Sequence, residues 1–535
     1  MNFVRSSLRR LQNASDESSH SHPRSRYSGE DYELLSSSEV SGSPASSSPG
    51  LPLPNGTIPT SSSPTSSPNT THGHRRRQPS VNYSGGKLGI LAACSRSLAL
   101  HRLHCFTLKR LLIAALVIPV LLVLGILWSG IPPNYEDVRG FERRLPQHNV
   151  TAAREAGTKY LRFPGHLWGH GLNNILQEAI LMNYIAYSSQ RAYVFEDYIW
   201  SQVPFPYTIY DFALRPARIP LNAFISGATA GGEVGGDGPR SVTAEFWEEV
   251  CPREARVSLS AFDAPLETSD GETLIKWWVD RLKDIETPCV EVDTTEKQVF
   301  DFKIFGSSRL LTLWPGLSTS PILTSFAWSP LVQSAVSRNF ALLQPSSLST
   351  FYDLQRPSAP SLPGLLAVHL RRGDYSRHCP RLARQRKIFH ALNQFPSYPD
   401  RFTPEPMFND TSISEHDIED YYIEHCYPSH EQIVLKLRQV RKENPGLKRV
   451  YVLTNGWGWW FNGLRDRLLE DGWDDMKGSL EMVLDGEQGW VGMAVDMAIA
   501  ENADVFVGNG FSSLTSNIMM LRRARGLSDN TNRFL

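Results

Sequence analysis

Residues 365–375, "LLAVHLRRGDY", carry the reading on which the fold class turns. "LLAVHL" holds no full charge and reads as a strand buried on both faces of a parallel sheet. Arg371, Arg372 and Asp374 follow it at once, which puts them at the C-terminal edge of that strand, where open α/β sheets bind their ligands. Two guanidiniums that stay charged at every relevant pH suit a diphosphate, and Asp374 is placed to hold one of them. The competing readings are a surface ion-pair cluster and an adhesive "RGD" loop; the second conflicts with a triplet that follows directly on a core strand.

Working outward, "AYVFED" (192–197), "RVYVLTN" (449–455) and "ADVFVG" (503–508) are further short apolar runs of the same kind. Helical patterns separate them. In "SHEQIVLKLRQVRKENPG", Ser429 is an N-cap with Gln432 three residues on, and Ile433, Leu437 and Val440 share a face before Pro445 and Gly446 stop the helix. This alternation predicts an α/β fold with two doubly wound, Rossmann-like domains facing a cleft. The expected lobes are 156–350 and 363–535, joined by a Ser- and Pro-rich segment. The glycine-rich "SGATAGGEVGGDGP" (226–239) reads as a mobile surface loop, because no strand leads into it.

Two other motifs belong at the same cleft. "ADVFVGNGFSSLTSNIMMLRR" (503–523) reads as strand, glycine turn and helix, with Ser512, Ser513 and Thr515 around the helix start. Free amides and the positive dipole end there favour an anion, although serine N-capping is common. "GHLWGHGLNNILQEAILMNYIAYSSQRAYVFED" (165–197) is a glycine-rich turn entering a helix. Gly169 and Gly171 allow close backbone approach, and His170, Asn173 and Asn174 supply polar groups. The stretch is not a G-x-G-x-x-G match, so a nicotinamide cofactor is not indicated. The tryptophans of "NGWGWWFNG" (Trp457, Trp459, Trp460) read first as core packing, with stacking on sugar or peptide as the alternative.

The chain has 535 residues, 41% hydrophobic, and a net charge of -1, which gives no sign of a nucleic-acid partner. Residues 1–109 begin with a Ser/Pro/Thr-rich tract too poor in apolar side chains to fold, and are expected as a disordered cytosolic tail. "LLIAALVIPVLLVLGILWSGI" (111–131) is long enough to span a bilayer as a helix, so 110–131 is expected as a transmembrane signal anchor and 132–155 as a stem. Arg96, Arg102, Lys109 and Arg110 precede the span without nearby acids, which favours a single-pass type II orientation with a lumenal body in the Golgi or ER membrane. Four of the six cysteines fall in that body. They allow three pairings; the expected one is Cys251 with Cys289 and Cys379 with Cys426. Asn149 and Asn409 head lumenal glycosylation sequons. There is no D-x-D, H-E-x-x-H, G-x-S-x-G or G-x-x-x-x-G-K-[ST] motif, so arginines and a helix terminus are left to neutralise a diphosphate.

The order "GLNN", "HLRRGD", "ADVFVGNGFSSLTS" resembles the GDP-fucose-dependent superfamily of protein O-fucosyltransferases and α1,6-fucosyltransferases. The resemblance implies a GT-B fold, metal-independent inverting transfer, no cofactor beyond the donor GDP-fucose, and a protein or glycan hydroxyl as acceptor. It makes 156–350 the acceptor-side lobe and 363–535 the GDP-sugar lobe. By resemblance Arg371 binds the β-phosphate and supports GDP departure, Arg372 matches a second arginine, and His369 resembles a histidine that contacts guanine. Asp496 falls where an aspartate reads the guanine edge. Ser512, Ser513 and Thr515 resemble phosphate-contacting hydroxyls, with Asp374, Gly171 and Asn174 completing the donor site. Asn173 matches an asparagine near the reacting centre, and His170 stands where one group carries a glutamate base. Leu514 replaces the glutamine of the α1,6 enzymes. A same-fold transferase using another nucleotide sugar, and an inactive membrane-tethered carbohydrate-binding protein, are the alternatives.

Overall fold

The computed structural model describes residues 109–122, 124–125, 133–165, 171–201, 205–210, 213–236, 238–294, 297–344, 362–410 and 412–535. Two parallel five-stranded sheets organise the chain from residue 133 onward. The first contains β1 (Tyr160–Arg162), β2 (Ala192–Phe195), β3 (Val242–Thr243), β4 (Arg256–Ser260) and β5 (Cys289–Asp293), in the order β3-β2-β1-β5-β4. The second contains β6 (Leu362–Leu370), β7 (Arg449–Thr454), β8 (Asp475–Gly478), β9 (Ala503–Gly508) and β10 (Asn532–Phe534), in the order β8-β7-β6-β9-β10. All pairings within both sheets are parallel, so helices must cross over between strands.

The N-terminal lobe is preceded by α1 (Glu136–Arg143) and α2 (Val150–Glu155), and α3 (Leu172–Ser188) connects β1 to β2. In the C-terminal lobe α4 (Tyr375–Arg384), α5 (Glu415–Cys426) and α6 (His430–Glu443) lie between β6 and β7. Then come α7 (Gly458–Glu470), α8 (Gly492–Asn502) and α9 (Ser513–Ala524). The capping box expected at Ser429 and Gln432 is formed.

The central strand β6 shows why its sequence lacks polar alternation. Leu366, Val368 and Leu370 pack on one face with Ile433, Leu437 and Leu464, whereas Leu365 and Ala367 join Val495, Ile499 and Ile518 on the other. A strand covered on both sides needs apolar residues at every position. The second of these clusters also contains Leu161, Ile175 and Ile180 of the N-terminal lobe, so the two lobes share a contiguous core. Disulfides join Cys251 to Cys289 and Cys379 to Cys426, the expected pairs. Asn149 and Asn409 are exposed.

Two expectations are overturned. Residues 133–155 are folded onto the body rather than standing off as a stem: Tyr135 and Leu145 are buried, Tyr135 donates its hydroxyl to the Glu487 carbonyl at 2.9 Å, and Arg139 pairs with Asp197 at 3.0 Å. Polar composition concealed a few large apolar anchors. The glycine-rich stretch is also packed over its first half. Ala228, Thr229 and Ala230 are buried, and a Cβ on Gly227 (φ +90°) would lie 2.2 Å from the Ser325 carbonyl oxygen. These glycines serve close backbone contact, which composition alone does not distinguish from flexibility.

Of the expected tail (1–109), residues 1–108 lie outside the described residues, as do 345–361 of the linker. Within the expected span, residues 110–122 and 124–125 are helical and the remainder lies outside them. Among the described residues no helix is long and apolar enough to cross a membrane.

Candidate active site

The three motifs converge where the C-terminal edges of the two sheets meet. Helix α3 begins at Gly171, which is exposed and has open space where a Cβ would point. Helix α9 begins at Ser512, whose side chain makes no capping hydrogen bond. The two helix starts touch. Asn517 Nδ2 donates to the carbonyl oxygen and to Oδ1 of Asn173 at 2.9 and 3.0 Å, and Gln177 Nε2 donates to Ser516 Oγ at 2.8 Å. Asn173 Nδ2 also reaches Met493 Sδ at 2.9 Å. All of these except Met493 are buried.

The end of β6 delivers the charged residues to this place. Arg371 donates to Asp374 Oδ2 at 2.8 Å, as expected of a braced guanidinium, and lies over the Tyr375 ring at 4.9 Å. Burial raises the Tyr375 pKa, and its contact with Ser512 at the α9 start works against that rise. Thus Arg371, Asp374, Tyr375 and the α9 start form one group. Burial opposes the charge on Arg371, but Tyr375 and Asp374 outweigh it and raise its pKa. Its Nε is buried without a hydrogen-bond partner among the described residues. An unpaired donor at a sheet edge is a costly feature unless something else accepts from it.

Arg372 goes elsewhere. Successive strand residues point to opposite faces, and its guanidinium is sandwiched between the rings of Tyr427 (4.4 Å) and Trp460 (4.2 Å) while donating to the Pro428 carbonyl at 2.5 Å. The paired arginines are therefore not a paired clamp in this structure.

His369 lies on the Arg371 side, its Nδ1 2.9 Å from Thr515 Oγ1. Burial, aided by the Arg371 charge, lowers its pKa to about 3, so it is a neutral imidazole. Thr515 is thereby occupied with His369. Asp496 accepts from the Tyr451 hydroxyl at 2.7 Å and from Ser479 Oγ at 2.8 Å; burial raises its pKa to about 7 against those two donors. Among the described residues its hydrogen-bond partners are Tyr451 and Ser479, not the Arg371 group. Ser513 and Asn174 are partly exposed at the two helix starts. His170 and Gly169 lie outside the described residues.

Sequence reasoning missed Tyr375, Gln177, Ser516 and Asn517. A signal existed for the last three: Gln177 lies four residues after Asn173, Ser516 four after Ser512 and Asn517 four after Ser513, so each continues a polar face already singled out. His390, whose Nε2 lies 2.9 Å from Gln177 Oε1, had none. Among the described residues no group of three His, Cys, Asp or Glu side chains is arranged to hold a metal.

Two lobes, each built on a parallel five-stranded sheet and meeting at helix N-termini beside a braced arginine, make up this α/β architecture. Residues 323–525 match the family model described as GDP-fucose protein O-fucosyltransferase. No curated protein sequence matches the chain. Among solved structures, POFUT1 in complex with GDP-fucose is 16% identical, with 70% of this chain and 96% of that chain covered at a TM-score of 0.40. NodZ alpha-1,6-fucosyltransferase soaked with GDP-fucose is 12% identical, covering 68% and 93% at 0.33. An Arabidopsis thaliana FUT1 mutant in complex with GDP is 10% identical, covering 73% and 76% at 0.33. At these scores no residue role is transferred from them.

Proposed function

We propose that this protein transfers fucose from GDP-fucose to a hydroxyl group, with inversion at the anomeric carbon. The observation that carries the reading is the convergence of Arg371, braced by Asp374 and Tyr375, with the uncapped start of α9, inside the stretch matched by the fucosyltransferase family. The acceptor oxygen attacks C1 of fucose as the bond from C1 to the β-phosphate oxygen breaks. GDP leaves with that electron pair, and the acceptor proton passes to a base. Arg371 and the first amides of α9 face the charge that grows on the diphosphate. A donor preorganised for such charge typically contributes about 3–4 kcal/mol. Arg372 supports the loop from behind instead of touching phosphate. His170 remains the proposed base, and Asn173 the residue beside the reacting centre.

The compartment belongs to the same proposal: a single-pass type II protein of the Golgi or ER membrane with a lumenal body. Two disulfides and two exposed sequons suit an oxidising lumen.

The test compares melting shifts with GDP, UDP and CMP, then follows consumption of GDP-fucose by wild type and Arg371→Ala. Preferential stabilisation by GDP and loss of turnover in a folded variant are expected. Equal stabilisation by UDP, or unchanged turnover in the variant, would refute the reading.

A further inference from the structure

The turn after β7 and the first turn of α7 carry two tryptophans that the fold holds out into solvent, Trp457 at the N-cap and Trp459 inside the helix. Trp457 and Trp459 are 72% and 74% exposed, whereas Trp247, Trp278, Trp328 and Trp473 are all buried. Indole is among the most favourable side chains to bury, so exposing two of them within three residues calls for a use. The turn is also firmly built. At its start the Asn455 Oδ1 accepts from the Arg372 amide at 2.8 Å, and its Nδ2 reaches Asp374 Oδ1 at 3.4 Å. At its end Trp460 stacks on the Arg372 guanidinium at 4.2 Å, backed by His430 at 5.0 Å. Gly456 lets the turn close, since a Cβ there would meet Trp460 at 2.9 Å; Gly458, between the exposed indoles, has open space around it. Both ends thus touch the loop that carries Arg371, through Arg372 and through Asp374, the acid that braces it.

We propose that Trp457 and Trp459 form the acceptor subsite and that its occupant is a pyranose ring of a glycan. This inference rests on the transfer reading above and names the acceptor class for it. A pyranose offers a flat C–H face to an aromatic ring and hydroxyls around its edge for polar neighbours such as Asn455. A peptide cannot add to β7 as a strand, because β7 is paired on both sides, with β6 and β8.

The experiment uses the full chain with Trp457→Ala, Trp459→Ala, the double variant, and Phe at both positions. Three readouts are taken: binding to an array of mannose-, galactose- and N-acetylglucosamine-terminated oligosaccharides, transfer to the best-bound glycan, and hydrolysis of GDP-fucose by water, which reports the donor site. The double Ala variant is expected to lose about tenfold in array binding and to raise the acceptor KM by a similar factor, with kcat and donor hydrolysis within about twofold and with Phe restoring most of the loss. Unchanged glycan binding and transfer in the double variant would overturn the subsite, as would a wild type that fucosylates only sugar-free peptides. If the wild type neither binds nor hydrolyses GDP-fucose, the transfer reading falls; tryptophan-dependent array binding would still support a sugar site.

Discussion

Arg371 and Arg372 are adjacent, identical and differently employed. The first has an acidic brace and an unpaired Nε; the second is enclosed by two rings and a carbonyl. Lysine keeps the charge but not the planar fork, and the two positions should separate on that substitution. Arg371→Lys is expected to cut turnover about 10²-fold or more with little change in melting temperature. Arg372→Lys should cost about 1–2 kcal/mol of stability through the lost stack, read as a fall in melting temperature of a few degrees. Thermal melts and steady-state rates on the same preparations check both. The neutral state of His369 yields another outcome: with a pKa near 3 it should add no inflection to a rate profile between pH 5 and 8, so any inflection there must persist in His369→Gln. The sequence placed Arg371 and Asp374 at the end of β6 and Ser512 at the start of α9, because an apolar strand run followed at once by charge or by a glycine turn marks those ends. It hid the fate of Arg372, which depends on Tyr427 and Trp460, 55 and 88 residues further along the chain.

At the level of elements, the site is two helix starts pressed together. Asn517 bridges them with two hydrogen bonds to Asn173, and Asn517→Leu leaves the buried Asn173 Oδ1 without its donor. A loss of about 1–3 kcal/mol is expected, measurable by denaturant unfolding. The Cys379–Cys426 bridge spans 47 residues and ends immediately before Tyr427 and Pro428, which hold Arg372. Chain entropy assigns such a bridge about 4 kcal/mol. Strands β6, β7 and β9 were readable within a few residues of their ends because they are apolar throughout. The meeting of α3 with α9 was expected only in outline, since periodicity reveals which face a helix buries but not which partner covers it.

For the molecule as a whole, buried acids set the response to pH. Glu178 on α3 is buried, which pushes its pKa up to about 8, and Glu142 on α1 is raised to about 7 mainly by burial, with Asp197 adding to it. A carboxyl with a raised folded-state pKa favours the folded state most below its unfolded value. Its contribution is then lost as pH climbs from about 4.5 toward the folded value, at up to about 1.4 kcal/mol per pH unit. Glu178→Gln should therefore be stabilising at pH 8 relative to wild type and close to neutral at pH 5, as denaturant midpoints at the two values will show. Residues 133–155 belong to this fold-wide accounting, and removing them should lower stability because Tyr135 and Leu145 leave the core.

The apolar cluster common to both lobes bears on how such a protein is inherited. Leu161 and Ile175 from one half and Ala367 and Ile518 from the other occupy a single packed interior, so neither half is a free-standing cassette. A chimera assembled from two related chains would have to take α3 and α9 from the same parent, and recombination between residues 188 and 513 would be purged wherever the donors differ at that seam.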